Sequence, residues 1–201
     1  MDKPRFIKWA DVLSYDAPFN LIIAKRELGK TFGLREQMLR DWFANGESHI
    51  AIVRYKDDIN VVANDYFGQI VAETKDQNLK AKLEGYEFQT CGNLIKIRKK
   101  SDGKKKNKWV DIVRIIPLSK ATRYKQASMH KLRRVVFDEA LIDKSIDTYT
   151  RYLPNEYALF QNLIGTLQRY SEKDGAGRPR LRVYLMGNAV DLINPYFAKL
   201  G

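Results

Sequence analysis

The chain has 201 residues, 44% of them hydrophobic, and a formal net charge of +12, which together allow one domain with a sizeable core and exclude an acidic disordered chain. The excess of Lys and Arg predicts affinity for polyanions such as nucleic acid or nucleotide phosphates. Because Cys91 is the one cysteine and His49 and His130 are the two histidines, we expect no internal disulfide, no structural metal and a reducing compartment. No uncharged apolar run approaches the roughly 20 residues that span a bilayer, so we expect no membrane partner and no export signal.

The first predicted unit is a strand, a loop and a helix. An apolar run at residues 19–24 predicts the strand, and apolar positions from Leu34 to Phe43 recur with helical spacing. Asn45-Gly46 then predicts the helix end, and the β-branched run at 49–55 predicts a second, buried strand.

The loop between that first strand and helix resembles the phosphate-binding pattern G-x-x-x-x-G-K-[ST]. In this pattern backbone N–H groups and a helix N-terminus hold phosphates, the Lys reaches the β- and γ-phosphates, and the hydroxyl binds magnesium. Ala24 replaces the first glycine and Glu27 adds a negative charge, so a Gly-Lys-Thr that merely opens a helix is the alternative. The predicted ATP-binding residues are Ala24, Lys25, Arg26, Glu27, Leu28, Gly29, Lys30 and Thr31.

The middle of the chain predicts helices over 58–84 and then an inserted β-hairpin at about 86–116, with strands at 87–97 and 109–116. Its tip is strongly basic, since residues 96–108 hold eight Lys or Arg and one acid. Such a loop can bind the phosphates of double-stranded DNA without reading sequence, although a solvated loop with no partner is the alternative. The predicted DNA-binding residues are Lys99, Lys100, Lys104, Lys105, Lys106 and Lys108.

Two acids follow a short apolar strand at 134–137. Asp138 at this position, together with the Thr31 hydroxyl, can hold Mg²⁺, and Glu139 can orient and polarise a water for attack on the γ-phosphate. The alternative is that Asp138-Glu139 caps the next helix.

Asn188 ends a later strand, predicted at 181–186 after a helix that begins near residues 154–155. If it lies between the loop and the acids, it can sense the γ-phosphate, although Asn is also an ordinary residue for leaving a strand. Ligands of parallel sheets bind at the carboxyl ends of the strands. We therefore predict an α/β P-loop NTPase of the glutamate-switch (ASCE) type, with a mostly parallel sheet flanked by helices.

An ordered set of short blocks covers nearly the whole chain and is similar to a known family. It resembles the N-terminal ATPase domain of the DNA-packaging motor of phi29-like bacteriophages, a compact relative of terminase large subunits. The blocks are Leu13-Ser14-Tyr15-Asp16, the loop Lys25 to Thr31, Val53-Arg54-Tyr55-Lys56, Pro117-Leu118-Ser119, Val136-Phe137-Asp138-Glu139, Pro154-Asn155-Glu156, Asn188-Ala189-Val190 and Asn194-Pro195-Tyr196-Phe197.

This resemblance implies roles for further residues. Lys30, Glu139 and Asn188 match catalytic positions, Arg26 matches an arginine of the phosphate loop, and Arg169 matches the arginine finger offered to a neighbouring subunit. Lys125 matches a second basic residue at the nucleotide between subunits. A surface arginine near a helix end is the alternative for Arg169.

The resemblance also implies partners and a place of action. We expect a homo-oligomeric ring, a pentamer in the family, that acts on double-stranded DNA at the procapsid portal in the host cytoplasm, with the portal and packaging RNA as partners. Residues 1–201 would form the ATPase domain, and the C-terminal nuclease-like domain of the family would be absent from this chain.

The expected function is an ATP- and Mg²⁺-dependent motor that packages viral DNA. A small P-loop kinase is one alternative, although it has little use for the second acid at Glu139. The other is a non-catalytic, basic nucleic-acid-binding module with a decayed loop.

Overall fold

A seven-stranded sheet organises the chain in the computed structural model, which describes residues 6–101, 107–124, 129–144, 149–188 and 194–200. The elements in chain order are α1 (Trp9–Ser14), β1 (Phe19–Ile23), α2 (Lys30–Asn45), β2 (Ser48–Val53), α3 (Asp58–Ala63), α4 (Gly68–Glu73), α5 (Gln77–Glu84), β3 (Tyr86–Cys91), β4 (Leu94–Lys99), β5 (Val110–Pro117), a 3₁₀ segment (Leu118–Tyr124), β6 (Leu132–Phe137), α6 (Glu156–Tyr170), β7 (Arg182–Gly187) and α7 (Phe197–Leu200).

The sheet is mostly parallel, as predicted. Its order is β1-β7-β6-β2-β5-β4-β3, in which the first five strands are parallel and β4 pairs antiparallel with both β5 and β3. β7 therefore separates β1 from β6, and all three strands end at the same edge. β1 is an outer strand, and Phe19, Leu21 and Ile23 along it are each 39 to 45% exposed.

The predicted strand at 87–97 is wrong, because this segment folds as two strands. β3 and β4 form a tight hairpin that turns at Gly92, whose φ of 59° lies in the left-handed region. Gly92-Asn93 is a turn signal, and the alternating residues on both sides of it hide the reversal. β4 then pairs with β5. Residues 96–108, called the basic segment below, begin within β4 and end before β5, and β5 joins the parallel strands beside β2.

Two apolar layers lie on opposite faces of the sheet. All six residues of β2 are buried, and their side chains alternate between the layers. Ala51 and Val53 pack with α2 to α5, whereas Ile50 and Ile52 pack with the 3₁₀ segment and α6. The buried central strands fix the positions of the loops at their ends.

No helix in the described part of the chain is long and apolar enough to cross a membrane.

Candidate functional site

The carboxyl ends of three neighbouring strands bring the predicted site residues together. Ile23 of β1 pairs with Gly187 of β7, and Phe137 of β6 pairs with Leu185 of the same strand. The loop after β1 and Asp138-Glu139 after β6 consequently flank Asn188, which follows β7. This is the arrangement that the sequence predicts.

The loop between β1 and α2 is built around two left-handed residues, Glu27 with a φ of 63° and Gly29 with a φ of 72°. Gly29 precedes the first residue of α2, and the N–H of Gly33 donates to its carbonyl. A glycine suits this position because side chains rarely adopt that conformation. Lys30 indeed opens a helix, and the helix N-terminus faces the loop, which favours an anion there.

The Lys30 ammonium is hydrogen-bonded to the backbone of the loop. Its Nζ donates to the carbonyls of Ala24 and Lys25 at 2.8 Å each and to Oδ1 of Asn188 at 3.1 Å, which uses all three N–H groups. Burial lowers the pKa of Lys30, while the carboxylate of Asp138 acts in the opposite direction. The loop thus holds a cation where a phosphate group would need one.

Thr31 and Asp138 meet across the site. The Thr31 hydroxyl donates to Oδ2 of Asp138 at 2.6 Å. A hydroxyl and a carboxylate are the hard oxygen ligands that Mg²⁺ prefers, usually one or two from the protein beside nucleotide phosphates. The chemistry of this pair therefore fits a nucleotide-bound Mg²⁺.

Glu139 occupies a left-handed turn directly after β6, with a φ of 53° and an exposed side chain. No helix starts there, because the first helix after β6 in the described ranges begins at Glu156. The alternative that Asp138-Glu139 caps a helix is therefore wrong.

Arg54, the residue after β2, contacts the backbone of this turn. Its Nη2 donates to the Ala140 carbonyl at 2.9 Å, and Nη1 and Nη2 each lie 3.4 Å from the Glu139 carbonyl. Arg54 belongs to one of the sequence blocks given above, but no role was predicted for it. A charged residue directly after the apolar run from Ile50 to Val53 was the signal.

Arg26 forms an ion pair with a residue outside the loop. Its guanidinium is half exposed and lies 3.8 Å from the carboxylate of Asp143. Lys25 and Glu27 are likewise exposed, whereas Ala24 and Leu28 are partly buried. Arg26, Glu27 and Leu28 border a cavity beside the loop.

Two cavities meet at Thr31, Asp138 and Glu139. The larger, of about 880 Å³, follows the loop and the first turns of α2 and also borders Asn188. The smaller, of about 350 Å³, lies between α3 and the ends of β2 and β6 and includes Arg54. The larger cavity has the dimensions of a small-molecule site.

Trp9 is a residue of this site that the sequence analysis missed. Its Nε1 donates to the Gly29 carbonyl at 3.3 Å, and the backbone N–H of Ile7 donates to the Leu28 carbonyl at 3.1 Å. A Cβ placed on Gly33 would lie 2.0 Å from the Trp9 ring, so only glycine fits there. No local pattern links residue 9 to residue 33.

Arg169 lies away from the loop of its own chain. It is exposed in the last turn of α6, donates to the Gly165 carbonyl at 3.2 Å and borders a separate cavity of about 500 Å³ with the 3₁₀ segment. α6 runs back from the carboxyl edge, so Arg169 sits about 20 Å along it from Glu156. Lys125 lies outside the described residues.

The basic segment lies at the amino edge of the parallel strands, opposite the loop. Lys99, Lys100 and Lys108 are exposed, while Lys96 pairs with Asp111 and Arg98 with Glu87. Lys104, Lys105 and Lys106 lie outside the described residues. The structure therefore places Lys99, Lys100 and Lys108 at the edge of the sheet opposite the predicted ATP-binding loop.

The fold is similar to solved structures of viral packaging ATPase domains. The N-terminal domain of the DNA packaging ATPase from bacteriophage phi29 matches with a TM-score of 0.74 and 26% identity, over 97% of this chain and 85% of that one. The large terminase ATPase domain of Thermus phage P74-26 matches with a TM-score of 0.52 and 17% identity, over 97% and 68% of the two chains, which shows the fold alone. The fold is that of viral packaging ATPase domains.

The chain belongs to the podovirus DNA encapsidation protein (Gp16) family, whose profile matches residues 1–200. The DNA packaging protein of Bacillus phage phi29 is 30% identical over 197 residues, and that of Bacillus phage B103 is 28% identical over 190 residues. These matches cover 98% and 94% of this chain, and the chain spans about half the length of each relative, 50% in both cases.

Proposed function

We propose that this chain is the ATP-hydrolysing domain of a ring-shaped motor that packages double-stranded viral DNA into a procapsid. The observation that carries the proposal is the convergence of Lys30, Thr31, Asp138, Glu139 and Asn188 at the carboxyl edge of one parallel sheet. Membership of the DNA encapsidation family supports the substrate. On this basis the domain is a P-loop NTPase of the glutamate-switch type, and residues 1–201 form its ATPase domain.

The loop residues from Ala24 to Thr31 bind the phosphates of ATP. Lys30 exchanges its bonds to the two loop carbonyls for the β- and γ-phosphate oxygens, because these are charged acceptors and the carbonyls are not. Asn188 lies 3.1 Å from the Lys30 ammonium, so it can detect whether the lysine is on the loop or on the phosphate.

Thr31 and Asp138 would hold Mg²⁺, which neutralises charge on the phosphate oxygens when bound. Glu139 orients and deprotonates the attacking water. Its side chain is exposed to both cavities, so it can reach a water beside the γ-phosphate.

The test is release of phosphate from ATP with Mg²⁺, with and without duplex DNA. Lys30→Ala should abolish hydrolysis because the loop loses its cation. Glu139→Gln should lower the rate by about 10²–10⁴-fold while ATP still binds, because the amide keeps the size of the side chain but cannot accept the proton. Lys80→Ala and Glu84→Gln, which change exposed residues of α5, are the matched controls.

Each other outcome has a specific meaning. A wild-type rate equal to that of Lys30→Ala would favour the non-catalytic nucleic-acid-binding module. Transfer of phosphate to a small acceptor, rather than release into water, would favour the kinase.

Arg169 acts on the nucleotide of a neighbouring subunit in this proposal, with Lys125 beside it. The position of Arg169 far along α6 from the site of its own chain supports action between subunits. Such an arginine contributes about 10³–10⁵ in rate, so specific activity should rise with protein concentration as rings assemble.

The same assay tests Arg169 by mixing two inactive variants, Glu139→Gln and Arg169→Ala. Some interfaces of a mixed ring pair an intact Glu139 with an intact Arg169, and these should regain activity. No recovery where the wild type assembles would exclude a role between subunits.

The basic segment binds DNA through its phosphates, and the portal and packaging RNA are the further partners of the whole motor. The exposed Lys99, Lys100 and Lys108 support this contact, and their distance from the ATP site leaves both accessible together. Action at the procapsid portal in the host cytoplasm follows from this role.

Replacing Lys104, Lys105 and Lys106 with Gln should weaken DNA binding and flatten its salt dependence. Each lost phosphate contact removes about 0.9 from the slope of log K against log salt for duplex DNA. A control that replaces the exposed Lys80, Lys82 and Lys199 removes the same charge elsewhere. Equal slopes for the two variants would show that the basic segment is not the contact.

A further inference from the structure

A buried polar cluster lies directly beneath the Glu139 turn. It consists of Arg54, Glu156 and Tyr196, which are 7%, 1% and 0% exposed and come from the residue after β2, the first residue of α6 and the segment 194–197. The proposed mechanism uses none of their side chains. A fully buried ion pair needs complete hydrogen bonding, so each contact of the cluster is informative.

Arg54 connects the cluster to the turn. Its Nε lies 2.9 Å from Oε2 of Glu156 and its Nη2 lies 3.1 Å from Oε1, a two-point pairing that fixes the plane of the guanidinium. The remaining N–H groups face the carbonyls of Glu139 and Ala140. The orientation of Arg54 therefore decides whether the turn carbonyls have a donor.

The turn needs such support because of its backbone conformation. A glutamate at a φ of 53° is unfavourable unless the surroundings hold it. On the other side of the turn, the Ala140 N–H donates to the Met186 carbonyl at 2.9 Å. Arg54 and β7 together hold the peptide units on which the Glu139 side chain stands.

Tyr196 holds the far side of Glu156. Its hydroxyl donates to Oε1 of Glu156 at 2.8 Å. Its ring lies 5.9 to 6.4 Å from those of Phe137, Tyr152, Tyr157 and Phe160. Oδ1 of Asn194 accepts from the backbone N–H of Tyr196 and of Phe197, so the segment after β7 has a defined conformation here.

Glu156 itself is fixed by a fourth contact. Oε2 also accepts from the Leu153 backbone N–H at 2.8 Å. Each carboxylate oxygen thus accepts two hydrogen bonds. Loss of the Tyr196 hydroxyl removes one of them and lets the carboxylate and its arginine partner rotate.

We propose that Glu156 and Tyr196 are positioning residues for Glu139 and act through Arg54. Residues 194–197 thereby control the orientation of the residue that activates water, while the phosphate loop is unaffected. This inference rests on the proposed ATP hydrolysis for its consequence, and on the described contacts for the relay.

The test compares Tyr196→Phe with Tyr184→Phe. Tyr184 is a second buried tyrosine, and its hydroxyl accepts from Arg134, which pairs with Asp41. Each variant removes one hydroxyl from a buried arginine–carboxylate cluster and keeps its ring, but only Tyr196 belongs to the cluster below Glu139. Equal loss of stability is expected for the two.

Tyr196→Phe should lower kcat on the order of fivefold, because a small displacement of a catalytic group is enough to slow the chemical step. KM for ATP and the Kd for a non-hydrolysable ATP analogue should stay within about twofold, because the loop keeps its contacts. Tyr184→Phe should leave all three values unchanged. A kcat for Tyr196→Phe equal to that of Tyr184→Phe would overturn the proposal.

Hydrogen exchange provides a readout that needs no activity. Exchange of the Ala140 amide should be faster in Tyr196→Phe than in Tyr184→Phe, with no difference at the phosphate loop. Equal exchange at Ala140 would overturn the proposal. If the wild type does not hydrolyse ATP but the exchange difference is found, the relay stands and the proposed function fails.

Discussion

The two ends of the parallel strands each contain a buried cluster with the same three chemical groups. Near the amino ends, Arg134 pairs with Asp41 at 2.5 Å and donates to the Tyr184 hydroxyl at 2.7 Å. At the carboxyl ends the cluster is Arg54, Glu156 and Tyr196. The difference lies in the remaining donors of the arginine, because only Arg54 reaches backbone carbonyls next to an exposed acid.

The chemistry of a buried cluster therefore does not reveal its role. Arg134 connects side chains of α2, β6 and β7, and Glu47, which itself pairs with Arg133, lies near it. It holds elements together. Arg54 holds elements together as well, but its position also determines the shape of one turn.

Removing one carboxylate from either cluster should cause the largest loss of stability, and the loss should be similar for the two clusters. Asp41→Ala and Glu156→Ala each leave a buried guanidinium unpaired, which costs about 3–5 kcal/mol of the free energy of unfolding. Urea unfolding curves measure this loss. An Asp41→Ala variant as stable as the wild type would show that solvent reaches Arg134.

Replacing each pair with apolar residues should separate the two ends. Arg134→Met with Asp41→Leu should recover most of the lost stability, because no charge is left buried. Arg54→Met with Glu156→Leu should recover stability too, but ATP hydrolysis should stay slow because the carbonyls at 139 and 140 lose their donor. Full activity in that double variant would contradict a role for Arg54 beyond stability.

The effect that is smallest near neutral pH concerns acid stability and belongs to the amino end. His49 is fully buried beside this cluster, and burial lowers its pKa from 6.5 to about 3. Between about pH 6.5 and pH 3, His49 is therefore protonated in the unfolded chain but not in the folded chain. His49 should contribute a loss of up to about 1.4 kcal/mol of unfolding free energy per pH unit in that window.

The variant His49→Gln should remove this contribution, and unfolding curves between pH 6.5 and 3 measure it as a shallower pH dependence. His130→Gln changes the exposed histidine and is the control. Identical slopes for both variants would show that His49 takes up a proton in the folded state.

The sequence predicted the parts of the fold that local patterns specify. The strand, loop and helix from Phe19 to Asn45, the strand before Asp138 and the strand before Asn188 all occur. Their arrangement at one edge followed from the rule that parallel strands end together. The roles of these residues stay proposals.

The parts that depend on contacts distant in sequence were not predicted. Arg54 and Glu156 are 102 residues apart, and Glu156 and Tyr196 are 40 apart, so no periodicity connects them. The Gly92 turn was missed for a different reason, because the alternation of apolar residues continues on both sides of it. Periodicity identifies a strand but not its reversal.

The contact between Trp9 and Gly33 has a consequence for how this domain can be shortened. The indole packs against Gly33 in the first turn of α2 and donates a hydrogen bond to the Gly29 carbonyl. The conformation of the loop therefore depends on the segment from Phe6 to Ser14. A truncated chain that starts at Phe19 keeps every residue of the phosphate-binding pattern but leaves a tryptophan-sized gap beside it. If the loop binds ATP as proposed, a fragment that keeps this binding should include the residues from Phe6 to Ser14.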